Sequence, residues 1–393
     1  MTQLKPVRLR PALMNYDWGK RGSSSLAAKL AGIKTEDPVA ELWLGTHAKG
    51  PAIAGSETLA EWLARSPEQI LGSAVLRNYG STLPFLFKVL SIAEPLSIQL
   101  HPNRKLAAEL HLRDPKHYPD GNHKPEIAIA LTEMPLLYGL RSFHDSAELL
   151  SRLQALQGLV GVILQFGPAT AQHRALVEKI FGAAATELKP ILDAVAAELR
   201  SWETGKLRKE DLLMMQLHAL YPEGDPGVLA PYLLNFITLK PGQAIFTEAQ
   251  VPHAYLGGDL IECMANSDNV VRAGLTPKFK DIPTLLQMLD FSKAGAPPRL
   301  IDAERPIRGV ARFSVAECRE FLVEQLTGPG DFAPCGSGSI EILISVDGVG
   351  ELAAGGEVFS IKSGDALAVP ALCAYQIRLS GGALFRAAVP TAA

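Results

Sequence analysis

A chain of 393 residues is too long for one ordinary hydrophobic core, so two or three domains are expected. Hydrophobic residues make up 47% of it and charged residues 20%, which is the composition of a folded protein rather than a disordered one. The formal net charge of −3 excludes a general attraction to nucleic acid or to an anionic membrane. A phosphorylated ligand would therefore need lysines and arginines placed locally.

The sequence carries no pattern typical of secretion or membrane insertion. Residues 1–10 lack an apolar core and do not predict a signal peptide. No segment approaches the ~20 uninterrupted apolar residues of a membrane-spanning helix. The cysteines form no C-x-x-C pair, which favours a reduced, cytoplasmic protein over a disulfide framework or a cysteine-rich zinc site. They are Cys263, Cys318, Cys335 and Cys373.

The first part of the chain, about 7–143, is mixed in pattern. Short apolar runs predict strands at 84–90, 96–100 and 126–131, and a helix is predicted at Leu59–Arg65. This alternation of strands and few helices indicates a mainly β domain.

A helical block follows, from about 146 to 221. Asp145 followed by Glu148 predicts a capping pair that opens a helix. Apolar residues four apart, such as Leu176 and Ile180, form one-sided stripes that are typical of a helical core. The block is therefore predicted to be a small helical domain or insertion.

After Gly227 the strand pattern returns, and one turn sequence occurs twice. Residues 239–245 (LKPGQAI) and 361–367 (IKSGDAL) each predict a strand, a tight glycine-bearing turn and a second strand, followed by a Val-Pro pair. Two copies predict two related antiparallel jelly-roll barrels. Only the first copy carries a histidine, His253, so that barrel is expected to bind a metal and the other to be structural.

The densest group of reactive side chains lies in one predicted strand. Alternate residues of a strand share a face, so Ser97, Gln99 and His101 are expected to point together. Three polar groups on a buried face need a partner such as a metal ion. A solvated strand edge would explain the same pattern.

Two further segments supply similar donors. Lys124 and Glu126 share a face at the start of a predicted strand, and His253 lies in another, although each could also be an ordinary surface or core residue. Together Gln99, His101, Glu126 and His253 offer two imidazoles, one carboxylate and one amide oxygen. That mixed set suits zinc, with some tolerance of manganese, cobalt or nickel.

Charged residues follow in the segment 259–278. Glu262 lies close in sequence to His253, and Arg272 and Lys278 flank a Gly/Thr/Pro turn that suits a phosphate, or that is simply a solvated basic loop. Lys88 lies within an apolar strand, where an ammonium group requires an anionic partner.

Seven motifs, in the expected order, resemble the type I phosphomannose isomerases of the cupin superfamily. They are 16–19 (YDWG), 40–47 (AELWLGTH), 83–90 (LPFLFKVL), 96–102 (LSIQLHP), 122–126 (NHKPE), 252–255 (PHAY) and 264–278 (MANSDNVVRAGLTPK). The resemblance spans about 15–283, is weak in the helical block and is faint in the last ninety residues.

The resemblance implies an enzyme that interconverts mannose 6-phosphate and fructose 6-phosphate with one zinc ion and a cis-enediol intermediate. It implies zinc on Gln99, His101, Glu126 and His253. It also implies a substrate cavity surrounded by eight residues. They are Ser97, Lys88, Lys124, Tyr255, Glu262, Asp268, Arg272 and Lys278.

The fold expected from pattern and resemblance is mainly β with an α-helical insertion. We predict a discontinuous zinc-binding cupin-like domain at 1–145 and 228–310, a helical domain at 146–227, and a C-terminal cupin-like domain without metal at 311–393.

Within the site, a subset of Ser97, Lys88, Arg272 and Lys278 is expected to hold the phosphate. Glu262 or Lys124 is expected to move the proton, and the assignment between them stays open. The alternatives are a non-catalytic sugar-binding bicupin and a cupin dioxygenase, although an amide ligand beside a glutamate fits the iron of the latter poorly. The sequence leaves open the oligomeric state, the physiological metal, and a role in mannose breakdown or in GDP-mannose synthesis.

Overall fold

The computed structural model describes residues 4–165, 167–333 and 338–390. Across these ranges the protein is mainly β, with all strand pairs antiparallel and twelve α-helices. Cys263, Cys318 and Cys373 are free thiols, as predicted, whereas Cys335 lies outside the described residues.

The strands are short and spread over the whole chain. In the first half they are β1 (Val7–Arg10), β2 (Ala12–Met14), β3 (Glu41–Leu44), β4 (Ile53–Ala54), β5 (Glu57–Thr58), β6 (Phe85–Ile92), β7 (Ile98–Leu100), β8 (Glu126–Ala130) and β9 (Met134–Leu140). In the second half they are β10 (Leu234–Leu239), β11 (Ala244–Thr247), β12 (His253–Tyr255), β13 (Gly258–Ala265), β14 (Val271–Gly274), β15 (Leu300–Ile301), β16 (Val310–Phe313), β17 (Leu322–Thr327), β18 (Gly330–Phe332), β19 (Glu341–Ser345), β20 (Val349–Ala354), β21 (Glu357–Ile361), β22 (Ala366–Val369), β23 (Tyr375–Gly381) and β24 (Ala383–Ala388).

The helices concentrate in the middle of the chain. They are α1 (Leu26–Leu30), α2 (Leu59–Arg65), α3 (Pro67–Leu71), α4 (Ser73–Tyr79), α5 (Arg104–Arg113), α6 (Phe143–Ser151), α7 (Gln157–Gln165), α8 (Ala169–Phe181), α9 (Ala185–Arg200), α10 (Lys209–Leu220), α11 (Ala230–Leu233) and α12 (Ile282–Met288). Short 3-10 turns occur at Gly22–Ser24, Gln154–Leu156, Thr204–Lys206, Pro226–Leu229 and Phe291–Lys293. The three strands predicted in the first part of the chain are confirmed, and the helix predicted at Leu59–Arg65 has the predicted bounds.

The strands form four sheets. The five-stranded sheet has the order β10-β9-β12-β7-β14, and the seven-stranded sheet has the order β15-β11-β8-β13-β6-β3-β2. The eight-stranded sheet is β16-β17-β24-β19-β22-β1-β4-β5, and the four-stranded sheet is β18-β23-β20-β21. Strands β1, β4 and β5 thus join the C-terminal strands, although they lie near the start of the chain.

The sheets stack as layers, and each interface between layers has its own hydrophobic cluster. The helical block covers the outer face of the five-stranded sheet, whose inner face packs on the seven-stranded sheet. The seven-stranded sheet packs on the eight-stranded sheet, and the four-stranded sheet covers the far side of the latter. Strands buried on both faces are mostly apolar, as in Phe85–Ile92, whose eight residues are all buried and of which only Lys88 and Ser91 are polar.

The helical block begins earlier than the sequence predicts. The predicted cap at Asp145 is wrong, because the extended Ser142 is the N-cap of α6 and its hydroxyl accepts from the backbone N–H of Asp145. Ser142 lies three residues before Asp145, which is the separation of an N-cap from the N3 residue. The predicted apolar stripe is confirmed, since Leu176 and Ile180 of α8 are fully buried.

The duplicated turn occupies the same place in two sheets. Ala244 of β11 pairs with Ile129, three residues after Glu126 in β8. Ala366 of β22 pairs with Ile344, three residues after Glu341 in β19. The two copies of the turn are therefore equivalent in register.

The Val-Pro pairs that follow the two turns are not equivalent. Val369 ends β22, whereas Val251 lies four residues beyond the end of β11 and two residues before the start of β12. Val369 therefore closes its strand, whereas Val251 does not. Five residues separate the strands in each copy, so His253 and Tyr375 are the matching first residues of β12 and β23.

Within the described ranges, no individual helix combines the length and apolar character needed to cross a membrane. One pair, Phe143–Ser151 with Gln154–Gln165, passes that test jointly but is bent by 110°.

Candidate active site

A cavity of about 520 Å³ opens between the five-stranded and seven-stranded sheets. Residues paired across an antiparallel sheet have side chains on the same face, so strand register decides which side chains meet there. On one wall the pairing places His253, Gln99 and Arg272 in a row across β12, β7 and β14. On the other wall Lys88 pairs with Glu262 across β6 and β13.

The local pattern of β7 explains how its polar residues reach the cavity. Ile98 and Leu100 are fully buried in the cluster beneath the helices, so the intervening Gln99 and the flanking Ser97 face the cavity. The predicted alternation along this strand is confirmed.

Three of the predicted metal ligands meet at one point. His101, Glu126 and His253 each present a ligand atom, and these atoms lie within 4.8 Å of one another. The Nε2 atoms of the two histidines are each 3.4 Å from an oxygen of Glu126. All three residues are buried, and Glu126 also lines the cavity.

The backbone orients both imidazole rings. The Nδ1 of His101 lies 3.0 Å from the carbonyl oxygen of Asn269, and the Nδ1 of His253 lies 3.0 Å from that of Val251. A carbonyl only accepts, so each Nδ1 carries a proton, and in the neutral form of each ring the lone pair is on Nε2. The same arrangement orients histidine ligands in metal sites.

The ionisation of the cluster suits a cation. Burial lowers the pKa of His101 to about 4, which keeps its imidazole neutral. Burial alone would raise the pKa of Glu126, but Lys124 and His101 outweigh it and hold that pKa well below the usual value. Both Nε2 atoms and one Glu126 oxygen are buried without a hydrogen-bond partner in the described structure. Unpaired buried donors and acceptors of this kind are costly, and a metal ion would satisfy all three.

Lys88 has the anionic partner that its apolar surroundings require. Its Nζ lies 2.9 Å from Glu262 and 3.5 Å from Glu41, and it also lies 5.2 Å from the centre of the Trp43 ring. Burial would lower the pKa of Lys88, but Glu262 and Glu41 outweigh it and raise that pKa. Burial also raises the pKa of Glu262, against the opposing effect of Lys88.

Two other predicted polar residues are neutralised by neighbours. The Nζ of Lys124 is 3.1 Å from Glu126. Asp268 lies 2.8 Å from the Nζ of Lys49 and 3.3 Å from the Nε2 of His47. The bond from His47 is the largest cause that lowers the pKa of Asp268, so this carboxylate is ionised at the cavity rim.

Arg272 and Lys278 differ from the other cations of the cavity. Both line it, and neither side chain forms an ion pair or a hydrogen bond with the described residues. Burial lowers the pKa of each, and Arg272 further lowers that of Lys278. Two cations without an ion pair among the described residues suit an anionic ligand.

Tyr255 is placed differently from the other residues predicted to surround the substrate cavity. It is buried beside His253, with ring centroids 6.0 Å apart, and packs in the apolar layer between the sheets with Leu90, Leu136 and Leu260. Like the buried His101 and His253, it is not among the cavity-lining residues of the described structure.

Sequence reasoning assigned no role to several residues that line the cavity. Trp18, Glu41 and His47 lie in two of the motifs that resemble the family, 16–19 and 40–47. Those motifs could therefore have indicated that these residues belong to the site. Tyr221 comes from the end of the helical block, where no local pattern marks it.

Comparison with known proteins places this geometry in a family. The model of the family described as "Phosphomannose isomerase type I, catalytic domain" matches residues 7–143. The human mannose-6-phosphate isomerase is 43% identical over 314 residues, covering 74% of each chain. The chain belongs to the mannose-6-phosphate isomerase family. The isomerase of Candida glabrata is 37% identical over 412 residues and covers 93% of each chain.

Solved isomerases of this family share the whole fold. A mannose 6-phosphate isomerase bound with zinc and yttrium has a TM-score of 0.89 and 30% identity, covering 99% of this chain. The Salmonella typhimurium enzyme bound to fructose 6-phosphate and zinc has a TM-score of 0.88 and 30% identity, with the same coverage of this chain and 100% of its own.

Proposed function

We propose that this member of the mannose-6-phosphate isomerase family interconverts D-mannose 6-phosphate and D-fructose 6-phosphate with one zinc ion. One observation carries the proposal. One cavity is lined by Glu126, which belongs to the buried His-Glu-His cluster with unpaired ligand atoms, and by Arg272 and Lys278, which have no ion pair among the described residues. A sugar phosphate has a reacting end and an anionic end, and this cavity offers a partner for each.

For the metal we propose His101, Glu126 and His253 with Gln99 as the fourth ligand. Gln99 is the direct cross-strand neighbour of His253 and lines the cavity beside Glu126. Two nitrogens and two oxygens suit zinc. When bound, zinc would supply positive charge that polarises a sugar oxygen.

For the phosphate we propose Arg272 and Lys278, with Ser97 as a neighbouring donor. Arg272 and His253 are separated by Gln99, so they lie two strand spacings apart, about 10 Å. That separation suits a ligand with its phosphate at one end and its carbonyl at the other. Lys88 and Lys124 are neutralised by carboxylates and are the weaker candidates. Asp268 would order the rim through His47 and Lys49.

For the proton transfer we propose Glu262, with Lys124 as the second candidate. The reaction removes the proton at C2 of the aldose and returns it at C1 on the same face, while the hydroxyl and carbonyl oxygens exchange one proton. Glu262 is buried, lines the cavity, and has a pKa raised by burial, which strengthens it as a base. Lys88 would keep it ionised and would balance the charge of the enediolate as it forms.

The domain organisation that we propose is the predicted one, with one addition. The two facing sheets around the site would form a zinc-binding cupin-like jelly roll (1–145 and 228–310), and 146–227 would be the helical domain. The C-terminal jelly roll (311–393) would lack metal and would borrow β1, β4 and β5 from the start of the chain. The equal register of the two turn copies supports two related barrels. We further propose a cytoplasmic enzyme with a small-molecule partner and no nucleic-acid or membrane partner.

The decisive experiment is a coupled assay of fructose 6-phosphate formation before chelation, after it, and after single metals are added back. We expect activity to disappear with the metal and to return with zinc, and unphosphorylated mannose to react far more slowly. Activity that survives complete metal removal would contradict the proposal. Sugar-phosphate binding without turnover would favour the binding protein, and iron with oxygen consumption would favour the dioxygenase.

A further inference from the structure

One carboxylate from outside the catalytic sheets contacts the two segments that carry His101 and Glu126, two of the proposed metal ligands. Glu320 lies between β16 and β17 of the eight-stranded sheet and is buried, with 5% of its surface exposed. Its Oε1 accepts a hydrogen bond from Arg104 at 2.9 Å and lies 2.8 Å from the Nε2 of His123. The Nη2 of Arg104 also lies 2.9 Å from the Nε2 of His123.

The positions of these two partners in the chain matter. Arg104 follows His101 by three residues, and His123 precedes Glu126 by three residues. His101 directly follows β7 of the five-stranded sheet, whereas Glu126 begins β8 of the seven-stranded sheet, and the Nε2 of His101 lies 3.4 Å from an oxygen of Glu126. The contact at Glu320 joins their two segments a short distance from the cluster.

Glu320 is itself held in place. Its Oε2 accepts from the backbone N–H of Arg319 at 3.1 Å, and the hydroxyl of Tyr79 donates to the carbonyl of Arg319 at 2.8 Å. Burial alone would raise the pKa of Glu320, but the hydrogen bond and charge of His123, together with a backbone hydrogen bond and the charge of Arg104, outweigh it and the pKa is lowered. An ionised, fixed carboxylate is therefore available to two donors.

We propose that Glu320 is a positioning residue for the metal centre, supplied by the C-terminal half of the chain. It clamps Arg104 to His123 and thereby fixes the spacing between His101 and Glu126. It is not among the described residues that line the cavity, and its hydrogen bonds within the described ranges go to Arg104, His123, Cys318 and the backbone of Arg319 rather than to a ligand atom of the cluster. The C-terminal sheet thus contributes to metal affinity without providing a ligand. The proposal rests on the zinc site proposed above.

The test measures zinc retention rather than turnover. Purified zinc-loaded protein is mixed with a chromophoric chelator, and the rate of zinc loss is followed for the native chain and for Glu320→Ala. Removing groups that orient metal ligands costs about 10–100-fold in metal affinity, so we expect zinc loss to accelerate by about that factor. The absorption spectrum of the cobalt-substituted variant should also change.

Glu317→Ala is the matched control. Glu317 belongs to the same connection but pairs with Arg299 at the surface, with 65% of its side chain exposed. We expect native zinc retention in this variant. Equal rates of zinc loss in native protein, Glu317→Ala and Glu320→Ala would overturn the proposal, as would equal acceleration in both variants.

A second variant covers the case in which Glu320→Ala does not fold. Arg104→Met removes one arm of the clamp at a side chain that is 69% exposed, so folding should tolerate it. We expect a smaller acceleration of zinc loss, and an unchanged rate would count against the clamp. A native chain that binds no zinc would instead refute the proposed function. Failure of the Glu320 proposal is thus distinguishable from failure of the proposed function.

Discussion

At the scale of single residues, the lysines and arginines of the cavity differ in whether the protein already neutralises them. Lys88, Lys124 and Lys49 each lie within an ion pair. Arg272 and Lys278 have none among the described residues. Arg272 is half-buried and Lys278 is exposed. A half-buried cation without an ion pair gains most from an anionic ligand, since its desolvation cost is otherwise uncompensated, so Arg272 is the stronger candidate.

Arg272→Ala should therefore weaken capture of the phosphorylated sugar. Hydrogen bonds to charged groups contribute about 1.5–3 kcal/mol, so kcat/KM should fall by roughly 10- to 150-fold. Steady-state kinetics of the coupled assay measure the change. Arg378→Ala, an exposed arginine of the four-stranded sheet, is the control. An unchanged kcat/KM would remove Arg272 from the phosphate site.

Glu262 leads to a prediction about pH. A general base must be ionised, and burial raises the pKa of Glu262 above its ordinary value of 4.5. The rate should therefore fall as the pH decreases through that raised pKa, giving an acid limb in the profile of kcat/KM against pH.

Glu262→Gln should remove this acid limb and lower kcat by about 10²–10⁴-fold. The pH profile of the native chain and of the variant is the measurement. Glu94→Gln, at another carboxylate of the cavity wall, should keep the limb. Near-normal turnover of Glu262→Gln with an unchanged pH profile would assign the proton transfer elsewhere, with Lys124 next to test.

At the scale of elements, the two halves share strand register but not chemistry. In the seven-stranded sheet Lys88 pairs with Glu262, and at the matching place in the eight-stranded sheet Glu324 pairs with Arg386. Glu262 lies opposite the second residue after Glu126, and Arg386 lies opposite the second residue after Glu341. The charged pair is thus present in both sheets with its signs exchanged.

The histidine beside the carboxylate is also replaced in the second copy, by a tyrosine. In the first copy His253 lies close to Glu126. At the matching place in the second copy, the hydroxyl of Tyr375 donates a hydrogen bond to Glu341. Arg386 also contacts Glu341, at 3.0 Å, and so supplies the positive charge near this carboxylate. The eight-stranded sheet therefore compensates its buried carboxylates with a fixed guanidinium group.

Arg386→Met should destabilise the protein strongly without touching the chemistry. Removing one partner of a buried ion pair costs about 3–5 kcal/mol, because the remaining carboxylates lose their compensation. Urea unfolding should show this loss, while kcat/KM per folded molecule stays at the native value. Arg378→Ala at an exposed pair should cost no more than about 1 kcal/mol. Equal effects of the two variants would contradict the buried network.

At the scale of the whole molecule, the site depends on layers that are remote in sequence. The cluster uses His101, Glu126 and His253, which come from three strand regions in two sheets. A ligand that binds only the folded chain stabilises it by mass action. Zinc should therefore act on global stability as well as on the reaction.

Removing the metal should lower the free energy of unfolding. With free zinc at a hundredfold excess over its Kd, the stabilisation amounts to about 2.7 kcal/mol. Thermal or urea unfolding with and without chelator measures it. The double variant His101→Gln with His253→Gln should lose this dependence on chelator. A native chain equally stable in both conditions would mean that the cluster holds no metal.

Some of this was determined by the sequence alone. Alternation in β7 put Gln99 on a polar face because the strand period is two, and the apolar surroundings of Lys88 required a carboxylate partner. The seven motifs identified the family, because each carries residues whose chemistry and spacing are specific. The turn copies predicted related sheets because a tight turn constrains its residues locally.

The tertiary structure decided the rest, because contacts between distant segments leave no local pattern. Ser142 rather than Asp145 caps α6, since both residues suit a cap and only backbone geometry selects one. Whether Arg272 has an anionic partner depends on which side chains the packed sheets bring next to it. Glu320 meets Arg104 and His123 only because the eight-stranded sheet stacks on the seven-stranded sheet. Sequence fixes the chemical groups and their local period, whereas packing of the layers determines which groups become partners.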